Sequence, residues 1–253
     1  MKRPAGKPEL LKEINRELAF DLLRSARSIS RPQLATGTGL SRATIAILAD
    51  ELLAAGLLEK QGLGNSSGGR PPVILKFNPD AAWAIGACMH EYDWHLVLTN
   101  LDATVRHRVD LHTGGGSPAA AIEVLQQGVQ QLVRNVNGRR LLPAIGLGTP
   151  GLVDIHSGVI KLAADLGWAD VPFASMVEQR LGMKAYIANR SKVGALAELW
   201  YGAGKGLRDL IYISIGTGVS AGIIHEGKLY LGANSSAGEL GHMTVLPDGP
   251  LCP

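Results

Sequence analysis

Cysteine is nearly absent: Cys88 and Cys252 are the only two in 253 residues. They are too few and too far apart for a disulfide framework. No stretch approaches the roughly 18 unbroken apolar residues that span a bilayer. The opening MKRPAGKPELLKEINRELAF alternates charged and apolar residues and lacks the apolar centre of a signal peptide. These absences predict a cytoplasmic chain without a membrane partner. Neither sign of charge dominates, since the net value is +3. The distribution is uneven, however. Residues 1–80 hold 12 Lys+Arg against 8 Asp+Glu, and residues 81–253 hold 13 against 14. A basic segment joined to a near-neutral one is compatible with a nucleic-acid reader attached to a sensor or an enzyme. The length suits a small domain plus a larger one.

Leu10, Leu11, Ile14, Leu18, Leu22 and Leu23 recur at helical spacing, so an amphipathic helix is predicted from Pro8 to about Arg27. Ser30-Arg31-Pro32-Gln33-Leu34-Ala35 reads as a short helix that stops before Gly37-Thr38-Gly39-Leu40. Ser41 is a natural N-cap for a second helix through Thr44, Ile45, Leu48, Leu52 and Leu53 to Gly56. Two strands follow, at 57–61 and 73–76, around the glycine-rich loop 62–72. Together these elements predict an α+β winged helix-turn-helix over residues 1–78. In that geometry Ser41, Arg42, Ala43 and Thr44 open the helix that faces base edges in a major groove. Arg70, between Gly and Pro, would enter a minor groove, and Arg31 would meet phosphate or solvent. The same pattern also fits a core-packed helix with a tethering loop, or a protein–protein module. The polar, basic start of the second helix and the Gly-Arg-Pro loop favour double-stranded DNA.

Asn78-Pro79 reads as a domain boundary. Beyond it, strands are predicted at Ile85–Met89, Trp94–Leu98 and Val105–Leu111, and a helix at about Pro118–Asn135. A buried strand Ala144–Leu147, a helix Phe173–Leu181, a strand Ala185–Ala188, a helix Lys192–Tyr201 and a strand Leu210–Ile215 follow. A three-strand meander leading into alternating helices and strands is an α/β layer pattern.

The motifs here are Pro150-Gly151-Leu152-Val153-Asp154, Ala195-Leu196-Ala197-Glu198 with Gly202-Ala203-Gly204, and Gly216-Thr217-Gly218. The most specific is Ala237-Gly238-Glu239-Leu240-Gly241-His242-Met243-Thr244-Val245 leading to Pro247-Asp248-Gly249-Pro250-Leu251-Cys252. In this order they resemble the ROK family (repressors, open reading frames and sugar kinases). Members with an N-terminal winged helix form its repressor branch. The resemblance implies an actin-like (RNase H-like, sugar-kinase-type) α/β domain over residues 79–253. That domain is expected to be incomplete at its C-terminal side.

The resemblance also allows a test of catalysis. Kinase members carry an Asp-x-Gly-Gly-Thr phosphate turn, which corresponds here to Cys88-Met89-His90-Glu91-Tyr92. The carboxylate and both glycines are replaced, and Glu91 adds negative charge where phosphate would sit. Their Glu-Asn-Asp motif, which supplies the catalytic base, corresponds to Ala188-Asn189-Arg190. Arginine stays protonated and accepts no proton. No kinase activity and no ATP are therefore expected, with an ATP-dependent sugar kinase as the alternative. The family's sugar contacts correspond to Gly151, Asn189, Glu239 and His242, and Arg190 would fill the pocket or favour a sugar phosphate. The plain structural alternatives are that Asn189 caps the following helix and that Glu239 is a buried acid. The family's zinc site begins at His242 and Cys252. Those two residues alone cannot close a four-ligand site, so zinc is expected only with further C-terminal cysteines. The combined expectation is a repressor of carbohydrate genes, homo-oligomeric in full-length form, that binds an operator and responds to a sugar or sugar-phosphate effector.

Overall fold

The computed structural model describes residues 8–64, 71–216, 218–247 and 249. The chain divides into two compact units, Met1–Ala82 and Trp83–Pro253, against the sequence-based boundary at Asn78-Pro79.

In the first unit the order is α1 (Pro8–Ala26), β1 (Ser28–Ser30), α2 (Arg31–Thr38), α3 (Arg42–Ala54), β2 (Leu58–Leu63) and β3 (Val73–Phe77). The strands form one antiparallel sheet in the order β1-β3-β2. Leu23, Ile29, Leu34, Ile45, Ala49, Leu58 and Leu75 make its core. Strand β1 was not anticipated. Its three residues are too short to show an alternation, and it exists because Ile29 pairs with Leu75 across the sheet. Helix α2 also runs three residues further than expected, through Gly37. There α2 meets α1 so closely that a Cβ would stand 2.5 Å from Leu22 Cδ2. The helix ends at Gly39, whose φ of 70° is the left-handed cap conformation. At its start Ser30 and Gln33 form a reciprocal capping box.

The second unit begins with β4 (Trp83–His90), β5 (Asp93–Asn100) and β6 (Val105–His112), an antiparallel meander. Helix α4 (Pro118–Val133) crosses to β7 (Leu141–Thr149), which runs parallel to β4. A small antiparallel sheet follows, of β8 (Leu152–Asp154), β9 (Val159–Ala163) and β10 (Trp168–Val171). Helix α5 (Phe173–Leu181), β11 (Lys184–Asn189) and α6 (Arg190–Tyr201) come next. The main sheet has the order β11-β7-β4-β5-β6, with β11, β7 and β4 mutually parallel. Its core joins Ile85, Trp94, Leu96, Leu125, Ile145, Leu147, Phe173 and Ile187. Trp94, Phe173 and Trp168 stack at its centre. The chain then forms β12 (Leu210–Ile215), β13 (Val219–His225) and β14 (Lys228–Leu229), a meander that packs on α6. On β12, Ile211, Ile213 and Ile215 are 60%, 54% and 80% exposed. Alternation puts them on the face away from α6. Among the described residues no helix is long and apolar enough to cross a membrane.

Candidate functional site

The candidate groups fall in both units. In the first, Ser41 caps α3: its Oγ accepts from Thr44 N (3.1 Å) and hydrogen-bonds Thr44 Oγ1 (2.8 Å). Ser41, Arg42 and Ala43 are exposed, and Thr44 is half-buried. The tight turn at Gly39 therefore presents the first turn of α3 outward, while Ile45, Leu48 and Ala49 bury its opposite face. Arg31 is held away from this turn, with Nη2 donating to Asp50 Oδ1 at 2.5 Å. A phosphate contact from Arg31 would have to replace that ion pair. Arg70 lies outside the described residues. The loop that contains it is closed at its base by Gly64 N donating to Pro72 O (2.8 Å). Behind α3, Glu51 joins α1 through Arg16 (2.6 Å) and Lys12 (3.2 Å), and these cations hold its carboxyl below the usual glutamate range.

In the second unit the three parallel strands end together, at His90, Thr149 and Asn189. The carboxyl ends of such strands are where open α/β sheets bind ligands. Strand β4 continues as regular strand through Cys88, Met89 and His90, and a two-residue turn, Glu91-Tyr92, returns it to β5. Met89 is buried in the core. No glycine occurs between Cys88 and Asp93.

Asn189 caps α6, which starts at Arg190 and not at Lys192 as expected. Its Oδ1 accepts from Ser191 N (2.9 Å), and its Nδ2 donates to Gly151 O (2.8 Å). Two of the candidate ligand residues are thus bonded to each other. Gly151 has a φ of 83°, and a Cβ there would stand 2.3 Å from Leu162 O. Only glycine fits this crossing of the Thr149–Gly151 turn over β9. Thr149 pairs in register with Asn189, and its Oγ1 is fully buried with no hydrogen-bond partner among the described residues. Arg190 is half-buried. Its charge reaches Cys88, where burial raises the thiol's pKa and the guanidinium opposes that rise.

The glycines of the 237–242 motif have a packing reason. A Cβ on Gly238 would stand 2.0 Å from Ala221 O, so the segment runs directly against β13, with Ala221 N donating to Gly238 O (2.7 Å). Glu239 is half-buried and His242 exposed. What ties this segment to α6 is a residue the sequence reading passed over. Lys192 is 1% exposed and donates to Ser235 O. Burial lowers its pKa while Glu239 opposes that shift. Ser191 Oγ and Ser220 Oγ add a second tie, from α6 to β13. One available signal was that Lys192 falls on the stripe of α6 with Ala195 and Leu199, which are buried. The loop at Gly216 is closed by its N–H donating to Gly218 O (3.0 Å), and Thr217 lies outside the described residues.

Cys252 also lies outside them. Among the described residues no three His, Cys, Asp or Glu side chains converge on a metal position.

The chain is 35% identical over 252 residues to a putative xylose repressor of Caldicellulosiruptor sp. (strain Rt8B.4), across 98% of this chain and 62% of that protein. It thus spans less than two thirds of that relative's length. A ROK family transcriptional regulator, described as a homolog of the E. coli MLC protein, superposes with a TM-score of 0.84 at 24% identity. That match covers 96% of this chain and 62% of the regulator, and it establishes the fold. A ROK family glucokinase from Streptomyces griseus, in complex with glucose and AMPPNP, matches 67% of this chain and 53% of its own. Its TM-score is 0.61 at 28% identity. The second unit therefore has the actin-like, sugar-kinase-type fold. The sequence model of the ROK family matches residues 91–253, well over half of the 253, and the chain belongs to the ROK family.

Proposed function

We propose that the first unit is a winged helix-turn-helix that binds a double-stranded DNA operator, and that the chain is a transcriptional repressor of carbohydrate genes. The second unit is its sensor, and a sugar or sugar phosphate bound in a non-catalytic kinase-like cleft changes the DNA affinity. The observation that carries this reading is the exposed, Ser41-capped first turn of α3, set beyond the Gly39 turn and carrying Arg42. A helix start of that kind offers backbone N–H groups and a guanidinium to phosphate and base edges. Resemblance to a protein named a putative xylose repressor supports the carbohydrate assignment.

Cys88 near the end of β4 and Arg190 at the start of α6 support the absence of phosphoryl transfer, because Cys88 puts a thiol where the phosphate turn carries a carboxylate and the Arg190 guanidinium accepts no proton from a sugar hydroxyl. Operator reading by a two-fold protein requires assembly, so a homo-oligomer is part of the proposal. Zinc, if bound, would be held by His242 and Cys252 with two further cysteines.

The test is fluorescence anisotropy with promoter DNA from beside the chain's own gene, across a salt series and with added sugars. Specific binding that weakens steeply with salt and changes with sugar supports the proposal. Salt-insensitive or absent binding refutes it. A coupled ADP-release assay across common hexoses and amino sugars decides against the kinase alternative if no turnover appears.

A further inference from the structure

Beyond its first turn, α3 presents an apolar surface to solvent. Residues three and four apart on a helix are neighbours, so Arg42, Ala43, Ala46, Ile47 and Asp50 share one face. Ile45, Leu48 and Ala49 are buried on the other. On the outer face Ile47 is 60% exposed, beside the exposed Ala43 and the half-buried Ala46. Between Arg42 and Asp50 the sequence has one polar side chain, Thr44. Thr44 Oγ1 is bonded to Ser41 Oγ (2.8 Å), and Asp50 Oδ1 accepts from Arg31 Nη2. The middle of this face therefore presents methyl and methylene groups where a recognition helix would otherwise carry hydrogen-bonding side chains. The exposed Arg42 and the N-terminal end of α3 give the same face a positive end. That combination matches a phosphate-lined groove better than an apolar protein surface.

We propose that α3 reads thymine C5-methyl groups in the major groove through Ile47, with the small Ala43 and Ala46 letting the helix approach the base edges. This rests on the operator reading above and states what the operator must contain. In the major groove the base pairs differ in their donors and acceptors and in one apolar group, the thymine methyl. A polar base edge set against Ile47 would lose its water and gain no hydrogen bond. A methyl set against it removes apolar surface of both partners from water. Arg42, one turn earlier, is left for phosphate or a guanine edge.

The test is fluorescence anisotropy of the full chain on promoter DNA from beside its own gene, synthesised with thymine or with deoxyuridine. That exchange removes the methyl groups and keeps the base pairing. Deoxyuridine DNA should bind about three- to ten-fold more weakly. Thymines replaced one at a time should trace the loss to particular base pairs. Ile47→Ala should weaken binding to thymine DNA by a similar factor and remove most of the difference between the two DNAs, the non-additivity of groups in contact. Its salt slope should equal the parent's, because no phosphate contact is lost, and a thermal melt confirms the fold. The inference is overturned if both DNAs bind alike, or if Ile47→Ala keeps the full difference between them. Either result, with salt-dependent binding intact, leaves the operator reading standing. No binding to either DNA overturns both and leaves this face of α3 to a protein partner.

Discussion

Gly151→Ala separates a structural from a ligand-contacting role at the end of β7. Two costs add at this position. An alanine held at a φ of 83° adopts the left-handed region, which costs on the order of 1–2 kcal/mol. Its Cβ would also stand 2.3 Å from Leu162 O and 2.7 Å from Ala163 Cβ. Because one of those atoms is backbone, β9 or the turn must shift, which costs about 1–3 kcal/mol. The shift also strains the bond from Asn189 Nδ2 to Gly151 O, and with it the cap of α6. A total of about 2–5 kcal/mol corresponds to a drop in Tm of roughly 5–15 °C for a unit of this size. The readout is unusually clean, because all four tryptophans (Trp83, Trp94, Trp168 and Trp200) lie in the second unit. A thermal melt followed by intrinsic fluorescence therefore reports that unit alone. Gly146→Ala in the same strand is the control. Nothing lies within 4 Å of its Cβ position, so that variant should be neutral or slightly stabilised. A Gly151→Ala protein that melts within about 1–2 °C of the parent while losing sugar binding would refute the packing argument and leave a pure contact role.

Three further outcomes are expected. Ser30→Ala removes the capping box of α2 and should cost about 1 kcal/mol, read by far-UV circular dichroism of the first unit's helices. Glu51 has a carboxyl pKa lowered by Arg16 and Lys12, so its contribution to stability is present above the ordinary glutamate value of 4.5 and lost as pH falls through the lower folded value. Glu51→Gln should flatten the acid limb of the stability curve, and salt should shrink the difference between the two proteins. Lys192 shows the opposite sense. Burial lowers its pKa, so its charge opposes folding at neutral pH and that penalty fades as pH rises through the folded value. The Tm of the parent minus that of Lys192→Met should therefore increase between pH 7 and pH 10, and a constant or falling difference would count against the burial argument.

Local chemistry in the sequence was enough to place the helices and their caps. Helical spacing located α1, Ser41 marked the start of α3, and helix α5 matched its predicted bounds at Phe173–Leu181. Those features depend on residues within one or two turns of each other. The ordered ROK motifs identified the family and the actin-like domain, because several glycine-bearing segments at set places are far more specific than any one of them. Non-local pairing was out of reach. Strand β1 exists through β3, a partner distant in the chain, and β9, β10 and β13, whose hairpin partners are close in sequence, carry too little alternation of their own to be read. The site divides the same way. Asn189, Arg190 and Glu239 could be named from sequence, but their setting could not. That Asn189 bonds Gly151, that Arg190 stands without an ion partner among the described residues, and that Lys192 joins α6 to the segment bearing Glu239 all follow from the folding of β11, α6 and β13 around one another. Burial and hydrogen-bond partners belong to the packed chain, and only the tertiary structure decides them.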